Sequence, residues 1–184
     1  MALFVRGFKS YCSKLVHGLR AELELHDSMP IDMDNLAKHL CIDTAPLSDM
    51  VKASDATINP AHLEEVYDKV SAFTVFEGVG RTVVFNERHS RPRHRSNLAH
   101  EFAHALLQHP PEGAAGTAAK ERLHENEAAW LAGVLLLTDG QAVHIAKRRL
   151  SAVLATAQFD ISHEMLRYRL QVTGALKRFP YAVA

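Results

Sequence analysis

Two histidines and a glutamate stand together in "NLAHEFAHALLQH", residues 97–109. His100 and His104 are four residues apart, and Glu101 directly follows the first. On a helix, residues at that spacing sit one turn apart on the same side. Two imidazole nitrogens can then converge on one metal ion, while the neighbouring carboxylate stays out of the ligand set. Such a carboxylate can take a proton from attacking water and later deliver it to a leaving amine. The pattern predicts a zinc site for hydrolysis, with His100 and His104 as ligands and Glu101 as general base and then acid. The plain alternative is a pair of histidines satisfied by water or backbone on a helix surface. Against it, the rest of the stretch is apolar nearly all round (Leu98, Ala99, Phe102, Ala105, Leu106), so the helix should be central. Polar groups there need partners.

A catalytic zinc keeps three protein ligands and leaves one position open. The next apolar helix downstream, "ERLHENEAAWLAGVLLL", offers His124, Glu125 and Glu127. On a helical wheel Glu125 lines up with Ala129, Ala132 and Leu136, small residues that would let the two helices approach. Glu127 points toward Leu123, Trp130 and Val134, nearly opposite. Glu125 is therefore the favoured third ligand and Glu127 the second choice. First-turn glutamates are also favoured by the helix dipole alone.

The elements that must position these groups follow from the apolar pattern and its breaks. Residues 1–70 read as helical pieces ("YCSKLVHGLRAELEL", "DMDNLAKHLCI", "NPAHLEEVYDKV"), with Pro30, Pro46 and Pro60 between them or at their starts. "AFTVFEGVGRTVVFNE" reads as a β-hairpin turning at Gly78-Val79-Gly80. From Ser96 onward the pattern is helical again, with breaks at "HPPEGAAG", "TDG" and "FD". Ser96 is expected to cap the His100 helix, and Pro110-Pro111 to stop it near His109.

Composition narrows the class. The chain has 184 residues, 47% apolar and 23% charged, with zero formal net charge. That fits one well-buried domain and gives no overall field for nucleic acid or an anionic membrane. Cys12 and Cys41 are too few for a disulfide framework, as in a reducing cytosol. The N-terminus "MALFVRGFKSYCSKL" is too short and too interrupted by charge for a signal peptide. No apolar stretch approaches the roughly 18 residues of a membrane span. A cytoplasmic location is expected.

Three segments together, "RSNLAHEFAHALLQH", "ENEAAWLAGVLLL" and "FDISHEMLRYRLQVTGA", resemble the ImmA/IrrE family of cytoplasmic metallopeptidases. A weaker match at "MPIDMDNLAKHLCID" extends the resemblance over roughly residues 30–175. It implies a zincin-like fold and a third zinc ligand from a glutamate-x-x-alanine helix, which falls on Glu125. It also implies a C-terminal segment packed near the site, and a protease that inactivates a repressor. Where the family often has Asn or Asp, this chain has Ala129; where it commonly has Leu-Met-Pro, this chain has Leu137-Thr138-Asp139. Neither departure removes a ligand or the base. In zincins an edge strand above the active-site helix holds extended substrate by strand addition, and "RTVVFN", residues 81–86, is the candidate, with a strand that only covers core as the equal alternative.

Other features carry less chemistry. "RHSRPRHR", residues 88–95, is the one dense basic run and reads as a solvated loop ahead of the helix, with an acidic partner or nucleic acid as the sharper alternative. "DNLAKHLCIDTAPLSDM" loosely imitates a helix-turn-helix, but its second half carries Asp43 and Asp49 and no arginine, which argues against DNA binding. His163, Arg167 and Tyr168, with Arg169 nearby, are candidate donors to a tetrahedral oxyanion, although a packed C-terminal helix explains most of them.

The expectation is one α+β, zincin-like domain over residues 1–184, mostly helical, with a small antiparallel hairpin before the HExxH helix. Residues 1–70 form its helical N-terminal part; 71–184 hold the hairpin, HExxH helix, ligand helix and C-terminal helices. It would be a zinc endopeptidase acting on a specific protein, plausibly a helix-turn-helix repressor. The alternative is a non-catalytic, metal-stabilised regulatory or interaction module.

Overall fold

The computed structural model describes residues 4–53, 59–78, 80–111, 113–114 and 116–180. Val79 of the expected turn, and Glu112 and Ala115 of the expected break before the ligand helix, lie outside them. The fold is α+β and mostly helical around one small sheet.

Helix α1 (Phe8–Glu22) buries Phe8, Cys12, Val16 and Leu19, a stripe at three- and four-residue spacing. Helix α2 (Met33–His39) starts where the Asp32 side chain accepts from the Asn35 N–H. Strand β1 (Asp43–Pro46) then runs directly into α3 (Leu47–Ala53), and α4 (Pro60–Lys69) precedes the hairpin. A strand between two helices is not a helix-turn-helix, so that segment does not form the DNA-reading unit it imitates.

The hairpin is β2 (Ala72–Glu77) and β3 (Gly80–Phe85), with Glu77 opposite Gly80 and Thr74 opposite Val83. Its tight connection puts Gly78 at φ 61, a left-handed conformation that glycine adopts without a Cβ clash. β1 joins the other side of β3 in parallel, making the order β1-β3-β2 and the sheet mixed. The twofold alternation of β3 splits its side chains between two cores. Val83 faces the main core; Val84 faces a smaller one with Leu47 and Tyr67, lined also by Val75.

Helix α5 (Arg91–Leu106) carries the HExxH residues and packs closely on α6 (Ala118–Leu136). Ala99, Ala103 and Ala128 are fully buried and Ala132 nearly so, small side chains that let helix backbones come close. Thr117 caps α6 and a Thr138–Gln141 capping box starts α7 (Asp139–Arg148), so the "TDG" break is a helix restart. Helices α8 (Ala152–Phe159), α9 (His163–Val172) and α10 (Ala175–Arg178) close the described chain. Among the described residues no single helix is long and apolar enough to cross a membrane.

The start of α5 corrects two expectations. Ser96 is inside the helix; the N-cap position is Ser90, and Pro92 sits in the first turn, where its missing N–H leaves no bond unmade. The basic run 88–95 is therefore a solvated loop only up to Ser90; Arg91 and Arg93 stay exposed on the first turn of α5, and Arg95 is buried as a latch. Arg95 is 7% exposed and donates to the Asp160 carbonyl at 3.0 Å and the Ile31 carbonyl at 3.1 Å. Arg91 pairs with Asp160 at 2.6 Å, and Arg88 pairs with both oxygens of Glu64 at 2.6 and 3.1 Å.

Candidate metal centre

His100 and His104 lie on one side of α5 with their Nε2 atoms 3.1 Å apart. α6 brings Glu125 against them: Oε2 is 3.2 Å from His100 Nε2 and Oε1 is 3.3 Å from His104 Nε2. Among the described residues these three form the group of donors close enough to share one metal ion. A tetrahedral zinc with bonds of about 2.0–2.1 Å sets its ligand atoms about 3.3 Å apart. The two Nε2 atoms at 3.1 Å, each with a Glu125 carboxylate oxygen within 3.3 Å, suit such an ion, and three donor residues leave a position for water.

The electrostatics keep one donor ready. Burial, then the nearby His100 ring, holds His104 down at about 4, so it is neutral near pH 7 with a nitrogen lone pair to offer. Behind it stands His109, also held at about 4, by burial first and then by His124. His109 Nδ1 is 3.2 Å from His104 Nδ1, and its Nε2 is 3.3 Å from Glu127 Oε2. Burial raises the Glu127 carboxyl above its ordinary value, with His124 opposing.

Glu101, next to His100, faces the sheet. Thr74 Oγ1 on β2 donates to its Oε2 at 2.7 Å. Ala72, Thr74 and Phe76 line a cleft of about 450 Å³ together with His100, Glu101 and Glu125. The cleft thus has a strand on one side and two donor-bearing helices on the other.

The model of the IrrE N-terminal-like domain, a peptidase family (M78), matches residues 61–171. The chain belongs to this family. No curated protein matches the chain. Membership in the IrrE N-terminal-like family supports a metallopeptidase, hence a metal ion, and His100, His104 and Glu125 could hold one. The match takes in α4 to α9 almost entirely, including the hairpin and both donor-bearing helices; α1 to α3 lie before it.

Two sequence expectations about the cleft change. Residues 81–86 were the candidate substrate strand, but Arg81–Phe85 belong to β3, which is paired on both sides and has no open edge. The edge strand over the helix is β2. His163, Arg167 and Tyr168 do not line the metal cleft; Tyr168 borders two other cavities. Arg169 is fully buried and donates to the Leu137 carbonyl and to Asp139.

Two residues at the site had no role in the sequence reading. Thr74 could have been found from strand alternation, which puts it on one face with Ala72 and Phe76. His109 could have been found as the last residue before Pro110-Pro111, five positions after His104.

Proposed function

We propose that this chain is a zinc-dependent endopeptidase with His100, His104 and Glu125 as ligands and Glu101 as general base and then acid. The observation that carries the reading is the convergence of two histidine Nε2 atoms and the Glu125 carboxylate, with contacts of 3.1–3.3 Å, beside Glu101. When bound, the ion supplies Lewis acidity toward water and the scissile carbonyl. Everything else falls to the chain's own side chains. Glu101 takes a proton from the attacking water and passes it to the departing amine nitrogen. Thr74 restrains its carboxylate during that exchange. The open edge of β2 offers backbone groups to an extended substrate, which would bind by strand addition beside Glu101. A cleft of this form accepts an unfolded or locally opened segment of a protein. The resemblance to ImmA/IrrE proteases makes a helix-turn-helix repressor the substrate to try first.

The test is Glu101→Gln. It should keep zinc and fold yet lose cleavage of a helix-turn-helix repressor substrate, by about a hundredfold to ten-thousandfold. If wild type and Glu101→Gln relieve repression equally and leave the repressor intact, the chain is a metal-stabilised binding module and not a peptidase.

A further inference from the structure

The polar residues behind the metal centre form a line with a definite direction. Helix α5 ends in paired bonds: the His109 N–H donates to the His104 carbonyl at 3.0 Å, and the Gln108 N–H to the Ala105 carbonyl at 3.1 Å. Gln108 takes the left-handed conformation between them, at φ 56. This is a Schellman termination, and it folds the chain back so that the residue just past the helix returns over its last turn. His109 is that residue. Its ring is buried, stacked on His124 with centroids 4.3 Å apart, and touches His104 on one side and Glu127 on the other.

Which nitrogen carries each proton follows from the contacts. His104 turns Nε2 toward His100 and Glu125, so a metal there requires the Nε2 lone pair and leaves the proton on Nδ1. His104 Nδ1 then donates to His109 Nδ1, which has to accept. Neutral His109 consequently carries its proton on Nε2, facing the Glu127 carboxylate. Every hydrogen-bonding position along the line is matched once, donor to acceptor.

We propose that His109 and Glu127 are positioning residues that fix His104 in the Nδ1–H tautomer with its Nε2 directed at the metal. This rests on the metal reading above. His109 is not a fourth ligand, because it meets His104 on the face opposite the site. Glu127 acts on the centre from a distance, through His109, although it lies only two residues from the ligand Glu125. A carboxylate at the end of such a line also makes the histidine at its head a better electron donor to metal. Backbone carbonyls commonly provide this support; here two side chains from different elements do so.

The test starts with ring nitrogen-15 NMR of the zinc-loaded wild type. Expected are a protonated Nδ1 on His104, an unprotonated Nδ1 on His109, and a protonated Nε2 on His109. A proton on His109 Nδ1 overturns the line without any mutation. Zinc dissociation constants, from competition with a chelator, then separate support from packing. His109→Leu should weaken zinc about 10–100-fold. His109→Asn restores an acceptor near the Nδ1 position and should recover most of that loss, with the His104 Nδ1–H again slow to exchange. Glu127→Gln should weaken zinc several-fold. Equal losses in the Leu and Asn variants, or no loss in either or in Glu127→Gln, overturn the proposal while leaving the metal centre standing. Wild type that binds no zinc overturns the metal centre itself, and the line with it.

Discussion

Thr74 Oγ1 donates to Glu101 Oε2 at 2.7 Å, tying the edge strand β2 to the residue after the first histidine of the HExxH helix. The bond joins residues 27 positions apart, so it depends on the hairpin being seated on α5. Thr74→Val keeps the shape and deletes the donor. It should leave zinc affinity unchanged and lower the turnover of the protein substrate about tenfold, since the carboxylate loses its restraint but not its proton chemistry. Zinc titration and cleavage kinetics on the same preparation check this. A parallel loss of zinc would mean that Thr74 supports the metal cluster and not Glu101.

Metal removal should act on stability as well as activity. An ion held by α5 and α6 together binds the folded chain only, so zinc at about a hundred times its dissociation constant adds about 2.7 kcal/mol. Chelator should lower the thermal midpoint of wild type and leave His100→Ala or His104→Ala unmoved. Glu125→Gln should lose zinc far more completely than Glu127→Gln, because only Glu125 reaches both histidines. A reversed order would move the third ligand to Glu127.

Local pattern carried the reading of the site a long way. The four-residue spacing of His100 and His104 needs only helical geometry, and the wheel that sorted Glu125 from Glu127 needs little more. What escaped depends on contacts remote in sequence. β1 is four residues long and ends in Pro46, and only its parallel partner 39 residues later makes it a strand. Arg95 looks like part of a solvated basic run because its acceptors, the Ile31 and Asp160 carbonyls, lie 64 and 65 residues away. Ser96 stands nearer the apolar stretch than Ser90 and so looks like the helix start, although Pro92 marks the true first turn. The wheel turns Glu127 away from Glu125's side, but it cannot show His109 folding back to meet it.

Arg95→Ala should therefore act on stability and not on nucleic-acid binding. Removing a buried guanidinium strands two carbonyl acceptors and leaves a cavity between α5, the α8–α9 turn and the segment before α2. A loss of about 2–4 kcal/mol is expected from denaturant unfolding. Arg93→Ala, whose side chain is exposed and donates to Ser71 Oγ at 3.2 Å, should change stability by less than about 1 kcal/mol. Similar losses in the two variants would return the basic run to the status of a plain surface.

The buried histidines predict how the metal-free protein responds to acid. His104 and His109 sit at about 4 in the folded chain, against about 6.5 for an unperturbed imidazole. Burial lowers His89 and His94 in the same direction. The unfolded chain therefore binds protons from about pH 6.5 downward, while the folded chain keeps His104 and His109 neutral to about 4. Their contribution to stability is fully present above about 6.5 and is lost as the pH falls toward 4. In chelator, the urea midpoint of wild type should be level from pH 8 to 7 and fall between 6.5 and 5, above the range where most carboxylates titrate. His109→Asn removes one of the titrating rings, so its midpoint should fall less over the same interval. Parallel curves for the two proteins would show that His109 is not held neutral in the fold.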